Sequence, residues 1–225
     1  MKRKAIVYID GYNLYYGLLK GTPYKWLDMY GFARALVRSE FELVSVKYFT
    51  APIKTHLYDA AAVDRQKTYL HVLSEIGNVE IIEGFYSKYR TWAPAVAKSC
   101  GECDVAVEGL LPVYKLEEKR SDVNMAVSMV TDAALDRADM FVVITGDSDQ
   151  VGAIDKVRKV FKKPVVVFNP QVGVSKHLEV VATFYQNIPR DLPSRCQLPD
   201  EIRVGNRGNI IHRPSAWQFA EHKGS

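Results

Sequence analysis

Three aspartates in this chain stand where a buried apolar run stops. Residues 5–10 read AIVYID, and Gly11, Tyr12 and Asn13 follow at once. Residues 139–145 read DMFVVIT and run into Gly146-Asp147-Ser148-Asp149. If the two runs are strands of one parallel sheet, Asp10, Asp147 and Asp149 meet at the same sheet edge. Asp122, in EKRSDVN, opens a helical run and joins them if the preceding connection brings that helix start over the same edge. Gathered carboxylates repel one another and need a compensating charge. Mg²⁺ takes oxygen ligands, keeps several waters and suits phosphate substrates. It polarises a phosphoryl oxygen and lowers the pKa of an attacking water. The chemistry so indicated is metal-dependent phosphodiester hydrolysis. Each aspartate also has an ordinary role available. Asp149 would serve as an N-cap worth about 1 kcal/mol, and Asp122 would complement a helix dipole. Their shared placement favours the metal site.

The elements that must position these acids are legible as alternating patterns. Residues 5–10 form a first strand, because a short apolar run is closed by a turn signal. Helical starts or spacings follow at 13–20 and 29–38. Residues 43–51 are rich in β-formers and end at Pro52. A helix over 60–76 is closed by Gly77-Asn78, and residues 79–86 form a third strand. Residues 87–119 are the irregular part and are expected to be an inserted loop with room for a hairpin. A helix over 121–135 is expected to be capped by Ser121, with Val123, Ala126, Val127 and Val130 as its apolar face. The strand at 139–145, a helix at 151–161, a buried strand at 164–168, a short helix at 175–181 and an edge strand at 183–188 complete the order. This alternation means α/β, a mostly parallel sheet covered by helices on both faces. Ligands bind at the carboxyl ends of such strands. The domain is expected over 1–189, with the insertion at about 87–119. Residues 190–225 are expected to be a mostly irregular C-terminal extension.

The 225 residues suffice for a core without disulfides. No apolar run approaches the roughly 20 residues of a membrane span. The basic start, Lys2-Arg3-Lys4, is followed by too short an apolar stretch for a signal peptide. A cytoplasmic protein is expected. The net charge of +4 permits a polyanionic partner without requiring one. Three cysteines, Cys100, Cys103 and Cys196, argue against a disulfide framework. Cys100 and Cys103 have zinc-ligand spacing, but no paired histidines complete a set, so no structural Zn²⁺ is expected.

The stretches YIDGYNLYYG, EKRSDVNMAVSMVTDA and VITGDSDQVGAI resemble the NYN domains, PIN-like ribonucleases, and specifically their LabA-like bacterial branch. SKHLEVVATFYQNI, CQLPDEI and IIHRPSAW resemble that branch's ending, so the resemblance spans almost the whole chain. It implies a PIN-like three-layer α/β/α sandwich and a ribonuclease site using Mg²⁺ or Mn²⁺. Asp10, Asp122, Asp147 and Asp149 map onto the family's acidic, metal-holding positions. Asn13 maps onto its amide, orienting Asp10 or a substrate phosphate. Thr145 and Ser148 line the same turn, and Lys119 stands within reach of a phosphate or is a surface lysine. RNA is the implied partner, cut to leave a 5′-phosphate, and a homodimer is a further expectation. Two positions depart from the family pattern. Ser128 stands where many relatives have another Asp, and Gln150 where a bulky apolar residue is favoured. They support the alternative of a catalytically weak regulator that binds RNA or protein.

Elsewhere, Lys88, Tyr89, Arg90 and Trp92 interleave cations with aromatics, suited to stacking unpaired bases and meeting phosphates. Of Tyr12, Tyr15 and Tyr16, one is expected to stack a base and the others to be core. Lys156, Arg158, Lys159, Lys162 and Lys163 read as a solvated helix face. Arg203, Arg207 and Arg213 are further cations that could reach RNA. A phosphatase of the haloacid-dehalogenase type would want a second aspartate two residues after Asp10, where this chain has Tyr12.

Overall fold

The structure, a computed structural model, describes residues 2–54, 59–95, 109–205 and 208–218. Chain order begins with β1 (Arg3–Asp10), α1 (Gly11–Leu14) running into a π-turn (Tyr15–Leu19), α2 (Met29–Leu36), β2 (Phe41–Thr50) and α3 (Ala60–Ile76). Next come β3 (Glu80–Glu83), β4 (Phe85–Pro94), β5 (Leu110–Lys119), α4 (Ser121–Ala134), β6 (Met140–Ile144) and α5 (Val151–Lys159). Then follow β7 (Val165–Asn169), α6 (Lys176–Val181), β8 (Phe184–Asn187), α7 (Leu192–Arg195), β9 (Glu201–Val204) and β10 (Asn209–His212).

Six strands form one sheet in the order β3-β2-β1-β6-β7-β8. Every pairing in it is parallel, so all six carboxyl ends lie along one edge. β1 and β6 are central, and Ala5–Ile9 of β1 and all of β6 are apolar because helices cover both faces. Along β1, Ala5, Val7 and Ile9 enter one core with Phe32, Tyr69 and Leu73. Ile6 and Tyr8 enter the other with Met125, Met129, Ile154 and Leu178. The strand order reverses between β1 and β6, and the crevice there is where an open parallel sheet accepts ligands.

Several expectations are corrected. α4 begins after Arg120, which caps it in a left-handed conformation (φ 78°) without a side-chain bond. Ser121 is buried inside the first turn rather than capping it. The apolar face of α4 is Met125, Met129 and Ala133, while Val123 and Val127 are exposed. The insertion does carry a hairpin, built from residues 85–94 and 110–119. They pair along their full length as an antiparallel hairpin. Cys100 and Cys103 lie outside the described residues. The extension is largely ordered: β9 and β10 form a second hairpin, and Leu192, Leu198, Ile202 and Val204 join the core. Trp26 donates its indole N–H to the Pro199 carbonyl at 2.8 Å and packs with Trp217 and Tyr69. Arg213 is buried against Asp200 at 2.8 Å and the Leu198 carbonyl at 3.0 Å, which removes it from the RNA-facing cations.

One buried charge belongs to the scaffold. Asp132, 1% exposed, accepts from the Tyr8 hydroxyl at 2.6 Å and meets Lys47 at 2.7 Å and Arg137 at 2.8 Å. Burial alone would raise its pKa, but Lys47, Tyr8 and Arg137 outweigh burial and hold it below the ordinary value.

Candidate functional site

β1 ends at Asp10, which is buried, and the chain turns directly into α1. Asp10 Oδ1 accepts the Asn13 backbone N–H at 2.9 Å, capping that turn. Only glycine fits between, because a Cβ on Gly11 would lie 2.6 Å from the Phe49 carbonyl oxygen. Asp10 Oδ2 accepts two further bonds, from Asn13 Nδ2 at 2.7 Å and Thr145 Oγ1 at 2.8 Å. Asn13 Oδ1 in turn accepts from the Gly146 N–H at 3.3 Å and from Gln171 Nε2 at 3.1 Å. This one amide therefore joins the ends of β1 and β6 to the segment after β7.

At the end of β6, Thr145 Oγ1 accepts the Asp147 N–H at 3.0 Å, and Asp147 Oδ1 accepts the Asp149 N–H at 2.9 Å. Asp147, rather than Asp149, thus caps the short 3₁₀ turn Ser148–Gln150. Gln150 is buried and donates to the Asp122 carbonyl at 3.1 Å, tying this turn to the start of α4. The left-handed Arg120, which costs roughly 1–2 kcal/mol in a non-glycine residue, turns β5 into α4. That turn carries Glu118 and Asp122 to the same rim.

The result is a cavity of about 250 Å³ lined by Asp10, Asn13, Glu118, Asp122 and Asp147, with Tyr12, Tyr16 and Tyr86 on its wall. Burial pushes the Asp10 carboxyl up to about 6, Glu118 adding to it, against the hydrogen bonds from Asn13 and Thr145. Asp122 stands at the exposed rim and is also pushed up to about 6, by the covered part of its carboxyl and then by the charges of Asp10, Asp147 and Asp149. Burial raises Glu118, and Asp122 adds to it, against the nearby Ser121 hydroxyl, which lowers it. Glu118 Oε1 is buried and has no hydrogen-bond partner among the described residues. Among those residues no group of three carboxylate, imidazole or thiol side chains is already spaced to hold one ion. The orphaned Glu118 oxygen and the mutually raised acids still fit a divalent cation, and the cavity is roomy enough for the waters Mg²⁺ retains.

Of the residues singled out from sequence, Asp10, Asn13, Asp122 and Asp147 share this cavity, and Thr145 sits buried behind it. Asp149 and Ser148 are exposed beside it. Lys119 is exposed and paired with Glu117. Arg90 and Trp92 lie on β4, with the guanidinium 5.9 Å from the indole ring centre, and do not line the cavity. Tyr12, Tyr15 and Tyr16 are all partly exposed, so none is core. Glu118, Tyr86 and Gln171 were not singled out. Glu118 adjoins Lys119 in the EKRSDVN stretch, which was the available signal.

A family model described as NYN domain matches residues 4–188. A protein of Pseudomonas putida (strain DSM 28022 / S16), named 6-hydroxy-3-succinoylpyridine 3-monooxygenase HspA, is 30% identical over 94% of this chain and 74% of its own. The crystal structure of VPA0982 from Vibrio parahaemolyticus RIMD 2210633, a protein of unknown function, superposes with a TM-score of 0.53 at 20% identity. It covers 84% of this chain and 95% of that one. At that identity the likeness concerns the fold alone.

Proposed function

The chain belongs to the NYN domain family, and on that premise we propose that it is a metal-dependent ribonuclease that hydrolyses phosphodiester bonds of RNA. The observation that carries this reading is the convergence of Asp10, Glu118, Asp122 and Asp147 on one cavity at the carboxyl edge of a parallel sheet. Asp10, Asp122, Asp147 and Glu118 would hold Mg²⁺ or Mn²⁺, with Asp149 adding charge from beside them. When bound, the cation supplies polarisation of a phosphoryl oxygen and a lowered pKa for water.

The chain's own residues do the rest. Asn13 and Thr145 hold Asp10 in one orientation, so no side-chain entropy is lost as substrate arrives. The carboxylates gathered around the cavity are suited to take the proton of an attacking water. Tyr12, Tyr16 and Tyr86 present aromatic surface beside the acids, on which unpaired bases stack. The exposed hairpin β4–β5, with Lys88, Arg90 and Trp92, supplies cations and rings for a longer strand.

The test is cleavage of a mixed pool of labelled RNAs with Mg²⁺, Mn²⁺ or EDTA, beside Asp147→Asn. Metal-dependent cutting that vanishes in the variant supports the reading. Tight RNA binding without cutting would replace it with the regulator reading.

A second reading is favoured by the P. putida relative, whose name is that of a monooxygenase acting on a substituted pyridine. Oxygen uptake with 6-hydroxy-3-succinoylpyridine and a reduced nicotinamide or flavin as electron donor tests it. Uptake stoichiometric with product, and no RNA cleavage, would establish that reading in place of the first.

A further inference from the structure

A larger cavity, about 490 Å³, opens next to the acidic one, and Tyr12, Tyr16, Tyr86 and Glu118 line both. Its size falls within the range of small-molecule sites, roughly 300–1,000 Å³. Tyr12, Tyr16, Tyr48, Tyr69 and Trp217 supply flat walls, over a floor that includes Leu14 and Met29. Lys20, Lys25 and Arg65 line the same space, and among the described residues Glu118 is the one acid that does. Neither Lys25 nor Arg65 has a carboxylate partner among the described residues. Lys25 Nζ instead donates to the Thr22 carbonyl at 2.7 Å. Burial and then the neighbouring Arg65 lower the Lys25 pKa. Trp217 comes from the extension, beyond the residues matched by the family model.

We propose that this second cavity binds a flat heteroaromatic ring carrying an anionic group, held between the tyrosines and Trp217 with its charge at Lys25 and Arg65. Aromatic walls favour a ring by stacking. Unpaired cations favour an anion, and Arg65 can meet a phosphate or carboxylate through two parallel bonds. Two sources share this chemistry. One is a nucleotide of an RNA strand whose neighbouring phosphate lies on the acids, an assignment that rests on the ribonuclease reading. The other is a free heteroaromatic acid.

The test is titration of the full chain in EDTA, where no cleavage occurs, monitored by tryptophan fluorescence in a Trp92→Phe background. The probes are AMP, UMP, ribose 5-phosphate and nicotinate. Ring-bearing anions are expected to quench and to bind at least tenfold more tightly than ribose 5-phosphate. Arg65→Ala is expected to weaken them about tenfold. Ala62→Phe, which adds a ring to the cavity wall, is expected to abolish binding while the urea midpoint stays within error. Binding of AMP or UMP identifies the RNA source. Binding of nicotinate without either nucleotide upholds the cavity and overturns the nucleotide assignment. Equal binding of ribose 5-phosphate, or unaltered binding in Ala62→Phe, overturns the proposal. Nucleotide binding without RNA cleavage would sink the ribonuclease reading and leave the cavity standing. Cleavage without binding by any ring-bearing anion would do the reverse.

Discussion

The Thr145 hydroxyl donates to Asp10 Oδ2 across 2.8 Å, joining the last residue of β1 to the residue just after its parallel neighbour β6. The same oxygen of Thr145 accepts the Asp147 N–H. One buried hydroxyl thus sets the positions of two acids from different parts of the chain. Thr145→Val keeps the shape and removes both bonds. The expected loss is about 1–3 kcal/mol of stability, from unsatisfied partners, with a fall in RNA-cleavage kcat of roughly a hundredfold and little change in KM. Urea melts and steady-state kinetics on one preparation measure both. An unchanged kcat would mean that the alignment of Asp10 is immaterial.

Metal addition should act through pH. Asp10 and Asp122 titrate at about 6 in the fold, above the ordinary aspartate value near 4. A raised carboxyl pKa stabilises the fold when protonated. That contribution is full below about 4 and is lost as pH rises through about 6. The metal-free fold should therefore carry its electrostatic penalty above pH 6. Mn²⁺ at a hundred times its Kd is expected to return about 2.7 kcal/mol at pH 7.5, a rise in Tm of several degrees. The rise should shrink toward pH 5, as protons compete, and should fall in Asp122→Asn. Equal shifts at the two pH values would sink the idea.

Asp132 shows the opposite sign. Its folded pKa is depressed, so its contribution is present at neutral pH and lost as pH falls through that depressed value. Asp132→Asn leaves Lys47 buried, with Glu80 at 3.8 Å as a weaker partner. The expected cost is about 3–5 kcal/mol, measured by urea unfolding at pH 7. Lys47→Met combined with Asp132→Leu should recover at least half. A cost below 1 kcal/mol for the single variant would show that the cluster is not a stabilising unit.

The β4–β5 hairpin offers a separable effect on binding. Removing a stacking aromatic costs about 1–3 kcal/mol per base, and each lost phosphate contact lowers the salt slope by about one. Arg90→Ala and Trp92→Ala are each expected to weaken RNA binding about tenfold in fluorescence anisotropy, without lowering kcat at saturation. Only the arginine variant should flatten the salt dependence. Wild-type affinity in both would assign the hairpin another partner.

The strands and the placement of Asp10 and Asp147 were legible in the sequence because strands buried on both faces must be apolar to their ends. An acid directly after such a run marks the sheet edge. Glu118 was hidden by its setting, a polar run at the end of a hairpin strand. Its approach to the acids depends on Arg120 adopting a left-handed conformation that no neighbouring residue announces. Helix α4 was found by its period, yet its rotation was misjudged. Val123 and Val127 repeat as regularly as Met125 and Met129, and only packing against β1 and β2 decides which pair is buried. The ordered extension escaped notice because its anchors are remote in sequence. Trp217 packs on Trp26 and Tyr69, and residue composition does not report such distant pairs.

The extension also sets an order of events during synthesis. The acids and all six parallel strands are encoded by residue 187, whereas the larger cavity takes its last wall from Trp217. At a translation rate of about 5–20 residues per second, roughly 1.5–6 seconds separate the two. For that interval a nascent chain holds every carboxylate of the cluster but not the indole beside it. Whatever ligand needs both can be held only once the extension has been made and has folded back.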